Sequence, residues 1–168
     1  MLAQAPPALH VSVSPAKARG AVALKLRIDG DIAAAAIVLY FPRQLRVSTA
    51  GLPRCDKSDD EIAAGACDRT RVGTGRVSIG GEPLPMTPLI GAGGLIFQAS
   101  DAVFHGKLSR ASGRYSSKLR VPLLDPGPAL SDIRLSFKRS TLFTARGCPL
   151  PFKVVAGKLV LTATASCT

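Results

Sequence analysis

The chain has no tryptophan, two tyrosines and, read residue by residue, no asparagine. Carbohydrate sites lean on broad aromatic platforms and amide side chains, so sugar binding of that kind is not expected. Aromatics are not interleaved with the basic residues, which argues against a single-stranded nucleic-acid platform. The missing asparagine also removes any N-x-S/T acceptor. Its two histidines, His10 and His105, lie far from any cysteine, and no C-x2-C or H-x3-H spacing occurs, so no metal site of the zinc type is expected. No run reaches the roughly 18 apolar residues needed to span a bilayer. The longest apolar stretch, Ile32 to Phe41, ends at Pro42 and reads as a buried strand.

Catalytic patterns are equally thin. Ser14-Pro15-Ala16-Lys17 matches an S-x-x-K serine-enzyme signature, yet proline follows the serine and neither S-D-N nor K-T-G occurs downstream. A Cys148 nucleophile with His105 as base would need a free thiol and an orienting third group. Disulfide pairing of Cys148 is the simpler reading. His105, flanked by Phe104 and Gly106, is expected at a strand end or turn, and His10 on an outward face. Val72-Gly73-Thr74-Gly75 is followed by no Gly-Lys-Ser/Thr and lacks a third glycine, so it is neither a P-loop nor a dinucleotide fingerprint. Asp56, Asp59, Asp60, Glu61 and Asp68 are the hard oxygen donors calcium takes, but they lack the D-x-D-x-D-G order. No enzyme activity and no cofactor is expected.

What the chain has in excess is positive charge and β pattern. Lys and Arg number 22 against 11 acidic residues, a net charge of +11, which points to anionic partners or surroundings. Four cysteines form two brackets, Cys55 with Cys67 and Cys148 with Cys167, and indicate an oxidising compartment. Four cysteines allow three pairings. The sequential one is expected, because each pair is close in the chain and flanks its own loop. Ala3-Gln4-Ala5 before Pro6-Pro7 has the small-x-small form of a secretory cleavage site, so residues 1–7 are read as a residual signal-peptide end or a disordered start. Residues 8–168 are then a single domain, long enough to bury roughly 70% of the surface of its unfolded form.

Alternation of apolar and polar residues runs through that domain. Leu9, Val11 and Val13 share one face of a first strand; Val22, Leu24, Leu26 and Ile28 share one face of a second, which the turn Asp29-Gly30-Asp31 is expected to end. Ile37 to Phe41 is a central strand, and Leu45 to Ser48 a short one. Ser58-Asp59-Asp60-Glu61 fits a capping box and predicts one short helix, Asp59 to Ala66, inside the first cysteine loop. Arg71 to Ile79 reads as a strand whose glycines mark a bulge or a close backbone approach. Gly80 to Pro88 and Gly91 to Gly94 read as turns, Leu95 to Phe97 and Val103 to His105 as strands interrupted by Ser100-Asp101, and Pro122 to Pro128 as a rigid loop. Tyr115, Ser117, Leu119 and Val121 alternate with Arg114, Ser116, Lys118 and Arg120; Ile133, Leu135 and Phe137 alternate with Arg134, Ser136 and Lys138. Lys158 to Cys167 closes the chain. The expected fold is all-β, an antiparallel sandwich of the immunoglobulin type or related, with about nine to ten strands. Its expected core is Leu24, Leu26, Ile37, Leu39, Phe41, Leu119, Val121, Ile133, Leu135, Phe137, Leu159 and Leu161.

Gly51-Leu52-Pro53-Arg54-Cys55, then Cys67, Val72-Gly73-Thr74-Gly75, His105-Gly106-Lys107-Leu108, Val121-Pro122 and the last pair Cys148 and Cys167 follow one another in an order that resembles uncharacterised secreted, disulfide-containing β-sandwich proteins of high-GC, actinobacterial-type bacteria. The similarity runs from about residue 20 onward. Its motifs are structural, so it implies fold and export and no catalytic or binding residue.

Lys25, Arg27, Arg114, Lys118, Arg120, Arg134 and Lys138 all fall on the polar sides of their alternations. If such strands are neighbours they make a basic face, suited to an anionic envelope polymer or a lipid surface. The expectation is a secreted or cell-surface, non-enzymatic binding module. The alternatives are a purely structural or assembly module of the cell surface, and an enzyme whose site has no recognisable motif.

Overall fold

The computed structural model describes residues 6–14, 19–123 and 129–165. In chain order they form β1 (Ala8–Ser14), β2 (Arg19–Ile32), β3 (Ala36–Pro42), β4 (Leu45–Val47), α1 (Asp59–Ala63), a 3-10 turn (Asp68–Thr70), β5 (Gly73–Ile79), β6 (Glu82–Pro85), β7 (Thr87–Ile90), β8 (Gly94–Ala99), β9 (Ala102–Arg110), β10 (Tyr115–Pro122), β11 (Leu130–Arg146), β12 (Leu150–Ala156) and β13 (Leu159–Ala165). One antiparallel sheet, A, runs β1-β2-β11-β5-β6 with β4 also on β11; the other, B, runs β13-β12-β3-β10-β9-β8-β7. The two stack as the expected sandwich.

Period-2 alternation explains the stacking. In β2, Val22, Leu24, Leu26 and Ile28 are buried while Lys25 and Arg27 are exposed. Such a strand can bury one face only against a second sheet. Sheet A contributes Phe137 and Phe143, sheet B contributes Phe41 and Phe152, and their rings meet edge-on or tilted at centroid distances of 5.1–6.2 Å. Aromatic contacts of this geometry add about 0.5–1.5 kcal/mol each beyond burial. Nine of the twelve expected core residues are buried; Val121, Leu159 and Leu161 are half-buried and pack against the same cluster. A void of about 70 Å³ between the sheets is lined by carbon side chains such as Leu26, Phe97, Leu119 and Leu135, so it offers no group for acid, base or nucleophilic work.

Several boundaries differ from expectation. There are thirteen strands among the described residues, not nine or ten, because part of the Gly80–Pro88 stretch pairs as β6 with β5, Thr87–Ile90 pairs with β8, and Leu150–Ala156 pairs with β13 and β3. Asp29-Gly30-Asp31 does not end β2: Gly30 takes φ +93° and the strand continues to Ile32, still paired to β11. The helix stops at Ala63 because Gly65, at φ +92°, turns the chain toward Cys67. His105 lies within β9, not at a strand end. The Ser14–Lys17 motif reaches the described residues only at Ser14, where β1 ends; Pro15 to Lys17 lie outside them, as do residues 1–5 of the expected signal end, 124–128 of the expected loop and Cys167.

Candidate anion-binding face

The outward side of sheet A is built by register. Across β1, β2, β11 and β5, His10 stands opposite Arg27, Arg27 opposite Arg134, and Arg134 opposite Arg76. The next outward row is Ser12, Lys25, Ser136 and Thr74. These two rows line an open trough of about 660 Å³. With strands about 4.8 Å apart, the row from His10 to Arg76 spans roughly 14 Å of basic side chains over a parallel row of hydroxyls and one amine.

Two devices hold the rows together. Gly73 and Gly75 alternate with Thr74 and Arg76, and a β-carbon on either glycine would overlap the Ser136 or Arg134 carbonyl oxygen of β11. The missing side chains let β5 lie close against β11, the approach its glycines foretold. At the other end Asp29 binds two neighbours, its Oδ2 3.1 Å from His10 Nε2 and its Oδ1 3.2 Å from Arg27 Nε. Among the described residues, Lys25, Arg76 and Arg134 have no carboxylate within ion-pair distance. Arg134 therefore sits between two directly opposed arginines of which only one is partly neutralised. Like charges directly opposite each other oppose sheet formation, by about 0.2–1 kcal/mol per pair.

The seven basic residues singled out by alternation do not share one face. Lys25, Arg27 and Arg134 meet in the trough. Lys138 is exposed farther along β11, beyond the paired rows, where the register shifts. Arg114, Lys118 and Arg120 belong to β10 and its approach turn, on sheet B. There Arg120 stands opposite Lys107. A bulge between Tyr115 and Ser117 also reverses an expected orientation: Tyr115, placed inward by strict alternation, packs against Tyr40 of β3 with its ring tilted by 56° and centroids 5.4 Å apart. Arg76, His10 and the hydroxyl row, which alternation alone does not assign to a basic face, join the site. Their signal was present in part, since Thr74 and Arg76 alternate with Gly73, Gly75 and Val77, but only pairing shows that β5 adjoins β11.

The outer side of sheet B is covered at its β7–β8–β9 end. The Cys55–Cys67 disulfide closes a loop carrying α1, and Ile62 packs with both cysteines against Leu89 and Ile96. Asp59 Oδ1 reaches His105 Nε2 at 2.7 Å, and Gln98 Nε2 donates to the Ala63 carbonyl at 3.1 Å. Ser58 and Glu61 form the expected reciprocal capping box. Side-chain and backbone hydrogen bonds from Ser58 hold the Glu61 carboxyl below its ordinary range. Cys148 is also disulfide-bonded. Asp59 and Glu61, candidate calcium donors by type, are thus engaged in docking and capping.

No protein-family model and no curated protein matches the chain. Among solved structures, it is similar to BslA, a bacterial hydrophobin, over 97% of its own length and 98% of that chain, at 8% identity and a TM-score of 0.48. A likeness of that size transfers neither residues nor activity.

The trough can thus do one kind of chemistry well. Guanidinium and ammonium groups donate charge-assisted hydrogen bonds to oxyanions, and the serine and threonine hydroxyls supply further donors beside them. Both histidines are exposed and tied to aspartates through Nε2.

Proposed function

We propose that this protein is an extracellular, non-enzymatic binding module that holds a linear polyanion across the outer side of sheet A. The observation that carries the reading is the row Arg27, Arg134, Arg76, in which like charges stand directly opposite one another on neighbouring strands. Such a row costs stability in the free protein. A bound chain of phosphates or carboxylates converts that cost into attraction. The Cys55–Cys67 bridge supports an oxidising, extracellular setting. A linear polymer suits the trough better than a bilayer, because insertion into lipid needs apolar anchors. Among the described residues the exposed large hydrophobic side chain is Val160, on β13 of the other sheet.

The test compares two variants of equal net charge on phosphocellulose. Arg76→Glu with Arg134→Glu breaks the row, while Arg54→Glu with Arg69→Glu places the same change on exposed positions of the disulfide loop region. Wild type and the loop variant are expected to be retained at about 0.01 M salt, where the screening length is near 30 Å, and to elute toward 0.15 M, where it is near 8 Å. The row variant is expected to elute at clearly lower salt than the loop variant. Equal retention of both variants would reduce the row to a solvated surface and favour a purely structural role.

A further inference from the structure

A second basic site lies on the opposite side of the molecule, on the outer side of sheet B. Both tyrosines of the chain lie together there. Tyr40 and Tyr115 hold Lys153 Nζ over their rings at 4.4 and 5.1 Å from the centroids. Arg110 at the end of β9, Arg114 in the β9–β10 turn and Lys118 of β10 complete an open pocket of about 500 Å³. Four cations therefore converge with two phenol hydroxyls, and no carboxylate is among the lining residues described.

This pocket is built rather than accidental. The single Ser116 hydroxyl proton lies between the Pro42 and Leu45 carbonyls, 3.1 and 2.9 Å from Oγ, which pins the β10 bulge and keeps Tyr115 outward. The Arg43 amide donates to the Arg114 carbonyl at 3.1 Å, fixing the turn against the end of β3. Lys153, which sequence alternation left aside, is held by the ring faces, an interaction worth about 0.5–1 kcal/mol at an exposed site. Its charge remains available at the mouth of the pocket.

We infer that this pocket is a second oxyanion site, and that the protein cross-links polyanion chains by holding one on each side of the sandwich. The ligand class is phosphate or carboxylate groups carried on a polymer, recognised by the arginine, lysine and phenol donors. The pocket stands on its own geometry; the cross-linking rests on the trough reading of the preceding section. The sheets stack about 10 Å apart and the two sites face away from each other, so each can engage a separate chain.

The molecule carries its own reporter. With no tryptophan and both tyrosines in the pocket, intrinsic tyrosine emission reads occupancy of this site alone. Tripolyphosphate, too short to bridge, is titrated into wild type, the trough variant Arg76→Glu/Arg134→Glu and the pocket variant Arg110→Glu/Arg114→Glu/Lys118→Glu. Emission is expected to change equally in wild type and trough variant and to stay flat in the pocket variant. Long-chain polyphosphate is expected to give light-scattering particles with wild type and none with either variant. Unmoved emission in wild type overturns the second site. Undiminished scattering with the pocket variant overturns cross-linking. Scattering retained by the trough variant overturns bridging through opposite sides, while failure of the trough itself shows separately, as unchanged phosphocellulose retention. If the triple variant does not fold, the titrations of wild type and trough variant decide between these outcomes.

Discussion

The two outward faces follow the same alternation and end up in opposite states. Sheet A sends out Lys25, Arg27, Arg76 and Arg134 with Ser12, Thr74 and Ser136, all of which water solvates, and its face stays bare. At its β7–β8 end, sheet B sends out Leu89 and Ile96, which water does not solvate, and that end is roofed by the disulfide loop. The roof also takes five of the eleven acidic residues, Asp56, Asp59, Asp60, Glu61 and Asp68. Covering the apolar end thus collects negative charge in one place and leaves the trough and the tyrosine pocket strongly cationic. A disulfide, a capped helix turn and a basic face are parts of one division of the surface.

The largest break in this comparison comes from opening the roof. Cys55→Ser with Cys67→Ser removes a bridge spanning 12 residues, for which loop entropy gives about 3 kcal/mol. The loss is expected to be local in its first effect: amide exchange should accelerate in β7, β8 and β9, and a hydrophobic dye should bind over Leu89 and Ile96. Exchange in β2 and β11 should change little, and phosphocellulose retention should survive. Uniform acceleration in both sheets would mean that the roof stabilises the whole sandwich and not one end of it.

The same contrast explains what could be read from the chain alone. Where one face of a strand is wet, alternation is visible, and β2, β10 and β11 with their buried Leu24, Leu119 and Leu135 stand out. Thr87–Ile90 and Gly94–Ala99 are covered on both faces, so their apolar runs carry no period, and Thr87-Pro88 reads as the end of a turn. The helix in the first cysteine loop was legible because its cap is local chemistry between Ser58 and Glu61. The site was legible only by halves. Alternation tells which side of its own strand Arg134 occupies, but not that Arg76 is opposite it, since strand order is set by packing between segments nearly 60 residues apart. The bulge that turns Tyr115 outward depends on Ser116 reaching Pro42 and Leu45, contacts of the same long range.

A smaller change sharpens the comparison without touching any charge. Gly75→Ala puts a methyl group into the Arg134 carbonyl and within about 3.0 Å of the Leu135 side chain. Overpacking of this kind typically costs about 1–3 kcal/mol, and here the relief is to push β5 away from β11. Arg76 then leaves its place opposite Arg134. Thermal melting should fall and phosphocellulose retention should weaken, although every cation is still present; the tyrosine response to tripolyphosphate should persist. Wild-type retention in this variant would show that summed charge, and not the register of the row, does the binding.

The smallest effect separates cost from use. Arg134→Thr places a good strand former between Arg27 and Arg76 and removes two like-charged facing pairs, so the free protein should gain about 0.2–1 kcal/mol for each. For a chain of this size each pair corresponds to roughly 1–3 °C in melting temperature. The gain should be largest at low salt and shrink as salt screens the repulsion. Arg120→Thr relieves the single facing Arg120–Lys107 pair on sheet B and should give about half that gain. Only the Arg134 variant should lose affinity for phosphocellulose, because Arg120 lines neither the trough nor the tyrosine pocket. A protein that became more stable in both cases and weaker in one would show that the repulsion at Arg134 is retained for what it binds. If both variants bind as wild type does, the row is a tolerated strain on an exposed sheet, and the difference between the two faces reduces to which of them needed a cover.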